Sequence, residues 1–339
     1  MPKQTTEKKV SIILLNWNGK ENSINCIKSL VKNTNYHNYN IIFVDNGSTD
    51  GSSSAIKHLA QDLNIKIDLL ENKENLGFPK GMNVGIRFAY NTYNPDYYLL
   101  LNNDVIFFQK NWLQYLVDAF SDPKIGIANP ILYYPNRKLQ NIGGKLKNVM
   151  HLSISAVTST KEMIDETEIK KNKLLEINII LGACFLIKKE VILNIGLLDE
   201  RYSPYLIEDL EYSLRTQKAG YTIVSVTNSH VIHLAHQTFK KNINSNENKN
   251  IEKGYIVIRN AFLLSFDYLG RFKTVFCTSF VLFGTAIVEK KDKTKSLTLT
   301  NIKFRKHIWK RISNYFKSYN DAKRLHKLTN PIPFLKINN

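Results

Sequence analysis

Four polar or aromatic positions in the amino-terminal third stand where an apolar run stops. Trp17 follows SIILLN, Asp45 follows IIFV, Asn75 opens NLGF and Asp104 closes YYLLLNND. A carboxylate at one such position suits a base N–H or a ribose hydroxyl, and a flat aromatic at another can stack on a base. An Asp at a third can hold a divalent cation, which prefers oxygen ligands and often bridges a diphosphate. Each has a plainer reading when taken singly. Asp45 before NGSTD could cap a turn or helix, Trp17 could be a core aromatic, and Asp104 could be a solvated loop residue. Together, at successive strand ends, the plainer readings require several coincidences. Further along, Glu208 and Asp209 precede the helical stretch EYSLRTQKAG. There too a helix cap competes with a chemical role, because acidic residues favour helix N-termini.

These positions need elements to hold them, and the chain alternates strand and helix signals. Residues 10–15, 41–44, 67–70 and 97–101 are short apolar runs, each followed by a polar cluster. Continuous apolar runs of this length fit parallel strands buried on both faces. Helical spacing follows the first at Ile24, Ile27 and Val31, and a further helix runs through residues 83–90. Such repetition predicts a parallel, doubly wound α/β sheet, in which ligands bind at the carboxyl ends of the strands. A later strand is expected over residues 221–226, and residues 133–180 include a polar, charged stretch expected to be a loop.

Composition narrows the classes. The chain has 339 residues, 43% hydrophobic and 22% charged, so it can build a core and is not mainly disordered. Neither G-x-x-x-x-G-K-[ST] nor a G-x-G-x-x-G after the first strand occurs, which argues against a P-loop NTPase and a dinucleotide fold. Cys26, Cys184 and Cys277 are widely spaced and fit neither a disulfide framework nor a zinc site. The opening MPKQTTEKKV has no apolar signal core, so a cytoplasmic location is expected.

The net charge is +18, and two-thirds of it lies in residues 290–339, where fourteen Lys or Arg face only Asp292 and Asp321. Ile308, Ile312, Tyr315 and Phe316 recur there at helical spacing, as in a basic amphipathic helix. The preceding residues 261–288 are unusually apolar, yet their longest uncharged stretch, 274–288, is shorter than the ~20 residues a span needs. Apolar helices before a basic tail fit an anchor on the anionic inner face of the cell membrane better than a nucleic-acid arm. A plain core helix pair is the alternative.

In order, SIILLNWNG, FVDNGSTDGS, NLGFPKGMNVGI and YYLLLNND resemble the nucleotide-sugar half of the inverting family 2 glycosyltransferases. LGACFLIKKEVILNIGLLDERY, IEDLEYSLRTQKAGYTIVSV and VIHL resemble their acceptor half, closest to the bacterial rhamnosyltransferase-like branch that builds surface polysaccharides. The resemblance covers roughly residues 10–236. It implies a GT-A fold, with a Rossmann-like, mainly parallel sheet flanked by helices; the apolar and basic residues beyond it are expected to form a C-terminal helical membrane-associating extension. Expected bounds are 1–254 for the transferase domain, with its donor half about 8–130 and its acceptor half about 131–254, and 255–339 for the basic helical region.

The same resemblance assigns roles. Trp17 lies beside the nucleotide base, Asp45 binds the base, and Asn75 belongs to the loop closing over the nucleotide. Asn16, Asn102 and Asn103 complete the donor-binding set. Asp104 matches the last carboxylate of a metal-binding D-x-D whose first Asp is here Asn102, a poorer cation ligand that can still bond a ribose hydroxyl. His233 matches the further metal ligand, and a mixed Asp/His set suits Mn²⁺ or Mg²⁺. Inversion needs a base for the acceptor hydroxyl while the diphosphate leaves. Asp209 matches that base, and Glu208 is expected to orient the acceptor. The implied partners are a nucleoside-diphosphate sugar, plausibly dTDP-rhamnose or a UDP-sugar, a saccharide acceptor carried on polyprenyl diphosphate, and an anionic membrane surface, but no nucleic acid. Two other readings remain open: a non-catalytic basic protein for polyanions or nucleic acid, which leaves Asp45, Asp104, Asp209 and His233 without a joint purpose, and a transferase acting on a soluble or protein acceptor.

Overall fold

The computed structural model describes residues 7–145, 162–163, 173–180, 182–234, 255–269, 313 and 316–328. These residues fall into two compact units. The first contains everything described up to residue 234, and the second contains 255–269, 313 and 316–328.

In the first unit the amino-terminal half runs β1 (Val10–Asn16), α1 (Lys20–Lys32), β2 (Tyr39–Asp45), α2 (Ser52–Asp62), β3 (Ile67–Glu71), α3 (Phe78–Tyr93) and β4 (Tyr97–Asn102). It continues with β5 (Val105–Phe107), α4 (Trp112–Asp118), β6 (Ile125–Tyr133), β7 (Leu139–Asn141), β8 (Gly144–Lys145) and β9 (Glu162–Met163). Then come β10 (Leu174–Ile177), β11 (Cys184–Lys188), α5 (Lys189–Ile195), α6 (Glu208–Lys218) and β12 (Thr222–His233). The main sheet has the order β10-β12-β6-β11-β4-β1-β2-β3, with β5 on β12 and β7 on β6.

The sheet forms because β1, β2 and β4 are apolar on both faces. Ile12 and Leu14 meet Cys26, Ile27 and Leu30 of α1 on one side, and Ile13 meets Met82, Ile86 and Ala89 of α3 on the other. Each fully buried Ile or Leu is worth about 1.5–3 kcal/mol. Helix α3 lies close to the sheet because Gly85 has no side chain, since an added Cβ would come within 2.4 Å of Ile13 Cγ2.

The expected parallel order holds for β3-β2-β1-β4 and for β6 beside β12. It fails at β11, which enters antiparallel between β4 and β6 and makes the sheet mixed. Strand β12 also differs from expectation. It does not stop at Val226 but shifts register between Val226 and His230, opposite Pro130 and Ile131, and runs on to His233. Pro130 has no N–H for the ladder, a natural place for a bulge. His233 therefore ends a strand and does not sit in a loop.

In the second unit a helix over 255–269 buries Ala261, Phe262, Leu263, Leu264 and Phe266. Tyr319, on a helix over 316–326, packs its ring edgewise against Phe262 and Phe266. The Tyr255 hydroxyl donates to Asp321, and His326 Nδ1 lies 2.7 Å from Asp267 Oδ1. This burial matches the core-helix alternative for 261–269, while Phe316 is exposed. Residues 270–288, Ile308, Ile312 and Tyr315, on which the anchor expectation also rests, lie outside the described residues. Among the described residues no helix is long and apolar enough to cross a membrane.

Candidate active site

Strands β1, β2 and β4 end side by side, and buried amides tie the loops that leave them. Asn16, fully buried at the end of β1, donates from Nδ2 to Ser48 Oγ at 3.0 Å. Its Oδ1 accepts from the Gly19 N–H, Ser23 Oγ and Asn103 Nδ2 at 3.1, 2.9 and 2.8 Å. Asn16 and Asn103 thus fasten the β1 loop to the β4 loop, and both ends of the Asn16 amide are bonded inside the protein. The adjacent Trp17 is 41% exposed, an open ring and not a core aromatic.

Asp45 ends β2 and is buried. Its Oδ1 accepts the Ser48 N–H at 2.9 Å and its Oδ2 accepts Ser53 Oγ at 2.5 Å, so it does act as a turn cap, and the same Ser48 accepts the Asn18 N–H of the Trp17 loop through its hydroxyl. Asn46 has no place among the expected residues, yet it organises the next loop. Its Nδ2 donates to Asn75 Oδ1 and Gly77 O, and its Oδ1 accepts from Asn72 Nδ2 and the Leu76 N–H. Asn75 is exposed, held by Asn46 and by the Gly77 N–H. The sequence signal for Asn46 was present in the polar turn D-N-G-S, but its burial depends on the β2–β3 pairing.

At the end of β4, Asn102 donates its N–H to Ala183 O at 2.9 Å, which seats the start of β11 beside it. Asp104 and His233 are brought together by the antiparallel pairing of β5 with β12, where Val105 is opposite His233. Their side chains meet, with Asp104 Oδ1 3.3 Å from His233 Nε2, both largely buried. Two neighbouring ligands of an octahedral cation at about 2.1 Å lie about 3.0 Å apart, so this spacing suits a shared divalent ion. No third His, Cys, Asp or Glu joins them among the described residues. Diphosphate oxygens and water would have to complete the shell. On the other ring nitrogen, His233 Nδ1 lies 2.9 Å from Gln140 Oε1. Gln140, from β7, was not foreseen, because its approach depends on how β7 registers with β6.

Glu208 and Asp209 open α6 behind Leu206 and Ile207, both left-handed at φ 75° and 74°. The two carboxylates differ. Glu208 is buried, its Oε2 has no hydrogen-bond partner among the described residues, and burial together with the neighbouring Asp209 charge pushes its carboxyl well above the usual range. Asp209 is half-buried. Its Oδ1 accepts the Leu210 N–H, and the Gly182 backbone runs past it, where an added Cβ would lie 3.3 Å from Oδ2. Gly182 precedes Ala183, so Asp209 stands at the same strand end as Asn102. Glu211, by contrast, is committed to Arg215, which also bonds the carbonyls of Ile195 and Leu197. The loop that holds Asn75 touches this segment as well, with the Phe78 N–H bonded to Pro204 O at 2.6 Å.

Solved glycosyltransferases share this architecture. GalNAc-T7, whose structure holds UDP, GalNAc and Mn²⁺, superposes with a TM-score of 0.59 at 16% identity, over 77% of this chain and 48% of that one. TarS from S. aureus superposes with a TM-score of 0.53 at 12% identity, over 94% of this chain and 81% of that one. At such identities the likeness establishes the GT-A fold. The model for glycosyl transferase family 2 matches residues 11–196. The chain belongs to that family. Among curated family relatives, an N-acetylglucosaminyl-diphospho-decaprenol L-rhamnosyltransferase of Mycobacterium tuberculosis is 26% identical over 223 residues, 58% of this chain and 67% of that protein. The O-antigen biosynthesis protein RfbC of Myxococcus xanthus is 25% identical over 213 residues, 61% of this chain and 16% of RfbC. An uncharacterised Sinorhizobium fredii protein, y4gI, is 22% identical over 207 residues, 58% of this chain. The chain spans only about a fifth of y4gI and still less of RfbC.

Proposed function

We propose that this family 2 glycosyltransferase moves a sugar from a nucleoside diphosphate to a lipid-linked saccharide, with inversion, in surface polysaccharide biosynthesis. The observation that carries the reading is the meeting of Asp104 with His233 at the strand end that also holds Asn102 and the Gly182–Asp209 contact. Trp17, Asp45, Asn75 and Asn102 receive the nucleotide, while Asn16 and Asn103 hold the loops that present them. Asp104 and His233 hold Mn²⁺ or Mg²⁺, which when bound offsets the charge of the leaving diphosphate. Asp209 takes the proton of the acceptor hydroxyl. Glu208, whose carboxyl is pushed above the usual range by burial and the Asp209 charge, orients the acceptor beside it, so the two neighbouring carboxyls play different parts. The acceptor class follows from the rhamnosyltransferase relative, whose name specifies a decaprenyl diphosphate carrier. The basic tail would hold the enzyme on the inner face of the membrane that carries such lipids.

The test is a panel of UDP-, dTDP- and GDP-sugars, read first by thermal shift and then by the anomeric configuration of the product. A ligand at a hundred times its Kd stabilises by about 2.7 kcal/mol. The expected result is one nucleotide class that stabilises the chain and a product of inverted anomer. A retained anomer would overturn the assignment of Asp209.

A further inference from the structure

The metal reading leaves one polar side chain at the site without a role. Gln140 lies on β7, on the opposite side of β12 from β5. Strand β6 pairs Leu132 with Asn141 and Tyr133 with Leu139, so two adjacent residues of β6 face three of β7 and Gln140 is the extra one. A bulge of this kind re-aims the side chain it frees. Here the side chain reaches past the end of β6 to His233, the residue after Ile232, which pairs with Tyr133.

Two hydrogen bonds fix the amide. Gln140 Nε2 donates to the backbone carbonyl of His233 at 3.2 Å, and Gln140 Oε1 lies 2.9 Å from His233 Nδ1. The first bond settles which end of the amide is which, because the reversed amide would set its oxygen against the His233 carbonyl oxygen. An amide oxygen only accepts, so Nδ1 must be the protonated nitrogen and Nε2 is free to ligate. Nε2 is the atom that faces Asp104 Oδ1. In a neutral imidazole this would set a lone pair against a carboxylate oxygen, an arrangement that a cation between them resolves, as a proton on Nε2 would in its place.

We propose that Gln140 is a positioning residue: its bulged side chain holds His233 in the Nδ1–H form with Nε2 aimed at the cation shared with Asp104. The proposal rests on the metal reading above. Removing the outer partner of a metal-bound histidine commonly weakens the metal about 10–100-fold.

The measurement is Mn²⁺ binding to the intact chain, with Mn²⁺ alone as the probe, followed by the loss of the free-ion electron paramagnetic resonance signal. Gln140→Ala should raise the Mn²⁺ Kd by about 10–100-fold, as that rule implies, while its melting midpoint without metal stays near that of the unaltered chain. Gln140→Glu keeps an acceptor for Nδ1–H but loses the donor to the His233 carbonyl, and it should restore most of the affinity. A merely structural glutamine would give the opposite pattern: both variants would lower the melting midpoint, and Glu would not rescue binding. Asp104→Ala separates the two readings. If it abolishes binding while Gln140→Ala leaves Kd unchanged, the metal site stands and the role of Gln140 is overturned. If Asp104→Ala binds Mn²⁺ as well as the unaltered chain, both readings fall.

Discussion

Glu208 and Asp209 are neighbours in the chain, yet one is buried with no partner for Oε2 among the described residues and the other is half-buried beside Gly182. The contrast allows the pair to be tested separately. Asp209→Asn keeps the shape and removes the proton acceptor, so single-turnover transfer should fall by about 10²–10⁴-fold with donor Kd unchanged. An equal loss of donor affinity would move Asp209 into the nucleotide site. For Glu208 the sign follows from burial, which raises its carboxyl above the range of an unfolded one. Below that range the carboxyl is protonated in both states and contributes no difference. As pH rises through it the unfolded chain ionises first, so the group increasingly favours unfolding until the folded carboxyl ionises too. Glu208→Gln should therefore melt like the unaltered chain in acid and at a higher temperature in alkali. Equal midpoints across that pH range would mean that Glu208 is solvated. The chemical types at Asp45, Asp104, Glu208 and Asp209 were legible in the sequence because each follows an apolar run or opens a helix. What was not legible is which carboxyl is buried, since that depends on how α6 packs.

Strand β11 carries the most information at the scale of elements. Its apolar run CFLIK reads as a buried strand of either direction, and only its pairing between β4 and β6 makes it antiparallel. Strands β5 and β7 have three residues each, too short for a periodic signal, although β5 brings Asp104 to His233 and β7 brings Gln140. The longer runs of β1, β2 and β4 were legible within a residue or two, because strands covered on both faces are apolar throughout. The contact between the Asn75 loop and the segment that precedes α6 has its own test. Gly77 has φ 83°, and an added Cβ would lie 2.7 Å from Pro204 Cα. Gly77→Ala should therefore push residues 75–78 away from 203–207 and strain the backbone, by about 1–3 kcal/mol. Thermal unfolding should show that loss, and steady-state kinetics should show donor KM rising while kcat falls. A change in stability with both constants intact would mean that the two loops act independently.

For the molecule as a whole, the charge is unevenly distributed along the chain. The main sheet and its helices lie within residues 7–234, while two-thirds of the +18 excess lies beyond residue 289. If that tail meets anionic lipid, the full chain should sediment with phosphatidylglycerol-rich vesicles at low salt and release in part at high salt, where screening removes the charge attraction but not the apolar one. Sedimentation that is equal with neutral vesicles would assign the tail to another partner. The central claim concerns the first unit, where Asp104 and His233 meet. The most direct measurement is sugar transfer, or donor hydrolysis, by the full chain after EDTA treatment and after Mn²⁺ is added back, with Asp104→Ala alongside. Transfer should cease in EDTA, return with Mn²⁺ and stay absent in Asp104→Ala; undiminished transfer in EDTA would contradict the metal assignment.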